Sequence, residues 1–198
     1  MLQLFLATHN PHKTREFIEL LGNTFQVRDL SGSAISAVEE AGTSFEENAI
    51  SKALSLSRNP QFSQLFVVAD DSGLEVDSLG GAPGIFSARY AGENATDQTN
   101  VEKLLHEIQG HPNRAARFRC VIALARGGKL IETVSGTVEG KITYLPRGSA
   151  GFGYDPVFVP TGFDQTFAEM PAEKKNQISH RAKAVAALRQ FLRRQLLD

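Results

Sequence analysis

The chain has one cysteine in 198 residues, Cys120, and so can form no internal disulfide. It also has almost no net charge: 21 basic against 22 acidic side chains leave −1. Nothing in that balance points to a general nucleic-acid binder or to a protein of anionic membrane surfaces. No apolar run approaches membrane-spanning length, and no charged-then-apolar leader precedes the first apolar stretch. The cytoplasm is therefore the expected compartment. Several chemistries lack their motifs. There is no GxxxxGK[ST] phosphate loop, no GxGxxG after a first strand, no Cys/His spacing for zinc and no GxSxG elbow. Hydrolysis by a metal-bound or base-activated water is the reaction class that remains.

What is present is an ordinary globular composition, 41% hydrophobic and 22% charged, without repeats or a low-complexity linker. One domain spanning 1–198 is expected. Leu4 to Ala7 reads as a short buried strand, and Asn10-Pro11 as a helix start with the asparagine capping. Phe17, Ile18, Leu20 and Leu21 supply that helix's apolar face. A weak strand at Phe25 to Arg28 follows, then a capping box, Ser44-x-x-Glu47, opening a helix to about Arg58. Leu65 to Ala69 is a second apolar strand, terminated by Asp70-Asp71-Ser72-Gly73. Gly80 to Gly84 is a forced loop, and Thr96 to Ile108 a helix with Val101, Leu104, Leu105 and Ile108 inward. Ala115 to Ala125, the Gly127-Gly128 turn and a return strand from Leu130 form a hairpin. Its first strand holds Cys120, which reads as a buried structural thiol. A last helix opens at Ser179, with Ala182, Val185, Leu188, Leu192 and Leu196 along one stripe. Strands alternating with helices, plus one hairpin, imply an α/β domain with a mixed sheet and flanking helices. The hairpin splits the helical segments, which suggests two lobes with a cleft between them.

Strand, polar loop, helix N-terminus and Lys13 together gather N–H groups and a positive charge, as a phosphate site requires. On this stretch alone, an ordinary strand-to-helix connection with a surface lysine is the better reading. Glu39, Glu40, Asp70 and Asp71 are hard oxygen donors of the kind Mg²⁺ takes, one or two at a time, alongside substrate phosphates. Asp70 and Asp71 should point to opposite faces of their strand, so only one of them should serve a given metal or water. Lys13, Lys52, Lys175 and the His180-Arg181 pair are the cations available for a triphosphate. Phe152-Gly153-Tyr154-Asp155 offers a ring for stacking on a base, or a glycine turn with two core aromatics.

Five blocks carry a resemblance: ATHNPHK, EAGTSFEENAISKA, ADDSGLEVDSLGGAPGIFSARYAG, GFGYDPVF and ISHRAKA. In order and spacing they resemble the non-standard purine nucleoside triphosphate pyrophosphatases, also called inosine triphosphatases or dITP/XTP pyrophosphatases, from Leu4 to about Leu188. The resemblance implies hydrolysis of ITP, dITP or XTP to the monophosphate and pyrophosphate with Mg²⁺. It implies Asp71 as general base and metal ligand, with Glu40 and, less securely, Glu39 joining the metal. Thr8, His9, Asn10, Pro11, His12 and Lys13 become the phosphate loop, and Ser72 a substrate contact. Lys52 joins Lys13 in absorbing charge passing to the leaving pyrophosphate. Phe152, Gly153, Tyr154, Asp155, Lys175, His180 and Arg181 become the base and sugar end. The family often has glycine where this chain has His9. The implied fold is an elongated two-lobed α/β structure around a central cleft, usually a homodimer. A related pyrimidine nucleotide pyrophosphatase and a non-enzymatic purine-binding module are the alternatives.

Overall fold

Apolar strands and one-faced helices fold here into a mixed sheet with helices on it. The computed structural model describes residues 2–33, 35, 38 and 41–196, the side chain of 196 excepted. In chain order the main elements are β1 (Leu2–Leu6), α1 (Pro11–Leu21), β2 (Phe25–Arg28), α2 (Phe45–Arg58) and β3 (Phe66–Val76). There follow α3 (Asp97–Glu107), β4 (Ala115–Arg126), β5 (Lys129–Ile142), β6 (Phe158–Pro160), α4 (Ala172–Ile178) and α5 (His180–Leu196). The six strands lie in the order β2-β1-β3-β4-β5-β6. β1 runs parallel to both β2 and β3, whereas β5 and β6 are antiparallel, so the sheet is mixed as expected.

The chain divides into two units. The first comprises Met1–Asp71, Cys120–Gly136 and Arg181–Asp198; the second comprises Ser72–Arg119 and Thr137–His180. In the first, Leu4, Leu6, Phe17, Val68, Ile122, Leu188 and Leu192 form one core cluster. Phe5, Leu56, Phe62 and Val67 form another, with the Phe5 and Phe62 rings 4.4 Å apart. In the second, Leu74, Leu104, Ile108, Phe118, Phe158 and Phe167 pack together.

Most elements arise where the sequence signals place them. Asn10 caps α1 and Pro11 is its first residue. Ser44 Oγ accepts the Glu47 N–H at 3.1 Å, while the Glu47 carboxylate reaches past Ser44 to the Thr43 N–H at 2.7 Å. The α3 face is as expected, with Val101, Leu104 and Ile108 buried. At the hairpin tip, the Gly128 N–H donates to Ser57 Oγ at the end of α2 (3.2 Å).

Two expectations need correction, and one strand has no counterpart in the sequence reading. Ile18 is 49% exposed: α1 buries only Phe17 and Leu21, one turn apart, so its apolar face is narrower than the residue pattern implies. β3 does not end at Asp70 but runs eleven residues through Asp70-Asp71-Ser72-Gly73. Each aspartate faces a lysine ammonium within 3.2 Å, which offsets the desolvation that usually expels carboxylates from a buried strand. β6 gives no signal, because three residues are too few for a period.

Candidate active site

Asp70 and Asp71 organise the first unit. Their side chains leave β3 on opposite faces, as strand geometry demands. Asp70 Oδ2 meets Lys13 Nζ at 3.0 Å and an Arg181 guanidinium nitrogen at 3.4 Å. Arg181, 2% exposed, also pairs with Glu16 of α1. Asp71 looks toward α2: Oδ1 lies 3.2 Å from Lys52 Nζ, and Oδ2 accepts from Asn48 Nδ2 at 3.0 Å. Asn48 and Lys52 are one turn apart on α2, so a single helix face supplies both contacts. Asn48 Oδ1 accepts the Gly42 N–H at 2.9 Å. A Cβ at Gly42 would stand 2.6 Å from that oxygen, so only glycine lets the backbone come this close.

Burial alone would raise the Asp70 pKa, but the charges of Lys13, Arg181 and Lys52 prevail and hold it well below the usual carboxylate range. Burial likewise works against the charge on Arg181, and Asp70 and Glu16 outweigh it. Beside this network the Cys120 thiol is pushed up to about 12, chiefly by burial. It is an inert core thiol, as read from the sequence.

The loop from Thr8 to Lys13 is more self-contained than its residue types suggest. Asn10 Oδ1 accepts the N–H groups of His12 and Lys13, at 2.9 and 3.3 Å, and Thr8 Oγ1 accepts that of Asn10 at 3.1 Å. Pro11 has no N–H. The first turn of α1 thus spends these donors on its own cap.

In the second unit, Asp155 Oδ2 accepts from Lys175 Nζ at 2.7 Å and from the Phe152 N–H at 2.9 Å. Lys175 Nζ also lies 5.1 Å from the centre of the Phe152 ring. The Gly153 N–H donates to Asp97 at 2.7 Å, and Tyr154 O–H to the Ser87 carbonyl at 2.9 Å. His180 stacks on Phe118 with ring centroids 4.7 Å apart and planes within 10°. The turn from Phe152 to Asp155 is therefore fixed at every residue, which leaves its aromatic ring in one place.

The structure thus joins Lys13 and Arg181 through Asp70, joins Asp71 to Lys52 and Asn48, and joins Phe152, Asp155 and Lys175 to each other. Arg181, expected at the base and sugar end, has its guanidinium with Asp70 and Glu16. Ser72 follows Asp71 within β3. Glu39 and Glu40, the expected metal partners, lie outside the described residues. Among the described residues, no group of three or more His, Cys, Asp or Glu could hold a metal ion. Sequence reasoning missed Asn48 and Glu16. The spacing of Asn48 and Lys52, four residues apart on a capped helix, was the available signal for the first; nothing local marked the second.

Comparison with known proteins settles the family. The Ham1 family model matches residues 4–191. The chain belongs to the Ham1 family. This Ham1 chain is 46% identical over 196 residues to the dITP/XTP pyrophosphatase of Bacillus subtilis, covering 97% of this chain and 98% of that one. A second relative, the dITP/XTP pyrophosphatase of Desulforamulus reducens, is 47% identical over 197 residues, with 98% and 96% covered. Among solved structures, the Ham1 protein of Coxiella burnetii superposes with a TM-score of 0.88 at 38% identity, covering 98% of this chain and all of that one. The Staphylococcus aureus Ham1 protein gives 0.86 at 40%, with 98% and 99% covered. The resemblance seen in the five sequence blocks is borne out.

Proposed function

We propose that this Ham1-family protein hydrolyses the non-standard purine nucleoside triphosphates ITP, dITP and XTP to the monophosphate and pyrophosphate, keeping them out of DNA and RNA. The observation that carries the reading is the setting of Asp71. It is a buried carboxylate with one oxygen on a lysine ammonium and the other on an asparagine amide, in a chain whose relatives are named dITP/XTP pyrophosphatases. A pure nucleotide binder has no use for a carboxylate held so firmly.

In this reading Asp71 takes the proton of the water that attacks the α-phosphorus, and Asn48 and Lys52 keep its carboxylate from rotating. Lys13 and Lys52 receive the charge that accumulates on the departing pyrophosphate. Phe152 stacks on the base, and the Asp155–Lys175 pair holds the turn that presents it. Thr8 to His12 shape the approach to Lys13, with Arg181 behind it on Asp70, while Ser72, Tyr154 and His180 complete the substrate end. Carboxylate oxygens beside phosphates suit Mg²⁺, so Asp71 would hold the ion with Glu40 or Glu39. When bound, it supplies neutralisation of the phosphate oxygens. We place the activity in a single domain of residues 1–198, acting as a cytoplasmic homodimer on small-molecule substrates, without nucleic-acid or membrane partners. Among the described residues no helix is long and apolar enough to cross a membrane.

Pyrophosphate release from ITP, XTP, GTP, ATP and dUTP, with and without Mg²⁺, tests the whole reading. Hypoxanthine and xanthine carry a 6-oxo group and lack the 2-amino group of guanine. Each mismatched buried polar group costs about 1–3 kcal/mol, so ITP and XTP should exceed ATP and GTP in kcat/KM by about a hundredfold. Equal values for GTP and ITP would refute the purine assignment, and dUTP as best substrate would favour the pyrimidine class.

A further inference from the structure

Asp70 has no part in the reading above, yet it is the most enclosed acid of the network, its side chain 1% exposed. We propose that Asp70 is a positioning residue, holding the Lys13 ammonium where a triphosphate meets it; this rests on the reading of Lys13 as a phosphate-binding cation. One oxygen, Oδ2, accepts both Lys13 and Arg181. Lys13 lies at the start of α1 and Arg181 at the start of α5, so this single atom fixes the entry of two helices against β3. Glu16, three residues beyond Lys13 on α1, grips the same guanidinium from the other side. Lys13, Arg181, Asp70 and Glu16 thus bring together two cations and two anions.

The Lys13 side chain is 18% exposed, against 1% for Asp70. The carboxylate therefore pulls on the ammonium from the buried side, while part of the Lys13 side chain stays open to solvent, from which an anion would approach. A lysine with four rotatable bonds would otherwise sample many positions, and an ordered cation loses less entropy on binding. Asp71 looks the other way, toward Asn48 and Lys52, so the adjacent aspartates divide the work: one faces the chemistry and the other sets a cation.

The test compares Asp70→Asn, Lys13→Met and the double variant on ITP, with inorganic pyrophosphate as a competing inhibitor and with melting temperatures. If Asp70 acts through Lys13, both single variants should raise KM and weaken pyrophosphate inhibition by about tenfold, with kcat changed less. Adding Asp70→Asn to Lys13→Met should then change kcat/KM by no more than about threefold. The melting temperature should fall in Asp70→Asn, which leaves one positive charge in excess, and recover in the double variant, which restores the balance. A further hundredfold loss of kcat in the double variant would make Asp70 part of the chemistry and overturn the inference. Should Asp70→Asn not fold, the comparison of Lys13→Met with the double variant still decides. A wild-type protein inactive on ITP would refute the functional reading instead. In that case the two substitutions acting independently on melting temperature would overturn the Asp70–Lys13 link as well.

Discussion

The Asn48 amide donates to Asp71 Oδ2 at 3.0 Å, joining α2 to β3 at the residue assigned as general base. Asn48 is 1% exposed and its carbonyl oxygen is engaged by the Gly42 N–H, so the amide cannot turn without breaking both contacts. Asn48→Ala would leave the Gly42 N–H without its acceptor and one oxygen of Asp71 without this donor. We expect a stability loss of about 1–3 kcal/mol and a kcat at least about tenfold lower, KM changing less. Chemical denaturation and steady-state kinetics on the same preparation check both; unchanged kcat would remove the clamp from the mechanism.

Asp71→Asn keeps the shape of the side chain and removes its ability to take a proton. Turnover should fall by about a hundredfold or more, with the far-ultraviolet spectrum unchanged. Wild-type turnover in Asp71→Asn together with its loss in Asp70→Asn would reverse the assignment of the two acids.

Lys175 and Asp155 are 6% and 3% exposed and 2.7 Å apart. Removing one partner leaves the other buried and uncompensated, at about 3–5 kcal/mol. Lys175→Met should therefore melt well below the wild type, while Lys175→Met with Asp155→Leu should recover part of the loss. In whatever fraction remains folded, KM for ITP should rise while inhibition by inorganic pyrophosphate stays the same, because the Phe152 turn is disturbed and the Lys13 loop is not.

The sequence discloses the strands, helix caps and hairpin because those are local events, governed by residues within one or two turns of each other. It also discloses that Asp70 and Asp71 part company, since alternation along a strand requires no tertiary knowledge. It does not disclose that both acids lie inside β3 rather than beyond it. Two neighbouring aspartates read as a strand end until Lys13, Lys52 and Arg181 arrive from three helices to neutralise them. The loop from Thr8 to Lys13 shows the reverse. Its residue types fit a phosphate cradle, but Asn10 consumes the N–H groups of His12 and Lys13, an economy visible only in three dimensions.

Cys120 supplies a prediction for alkaline pH. Burial lifts its thiol from an ordinary value of 9.0 to about 12, so the unfolded chain ionises first. A raised folded value means that stability is full below about pH 9 and declines as pH rises toward 12. Burial raises Tyr90 and Tyr154 in the same sense. Melting temperatures from pH 8 to 11 should fall, less steeply in Cys120→Ala than in the wild type. The native thiol should also resist disulfide reagents at pH 8 and react on unfolding.

The hairpin tip has a consequence for α2. Gly128 adopts φ +74°, and a Cβ there would stand 2.8 Å from Arg58 Cγ, on the last residue of α2. Its N–H also latches Ser57, 71 residues away in sequence. The turn therefore works as a backstop: it sets how far α2 can slide along its own axis, and hence the level at which Asn48 and Lys52 stand opposite Asp71. A helix rises about 1.5 Å per residue, so a displacement of one residue's rise at Ser57 would lengthen both contacts and weaken them. Gly128 thus ties the hairpin to the end of the helix that carries Asn48 and Lys52. Substitutions at this tip should register as lost turnover before they register as lost fold.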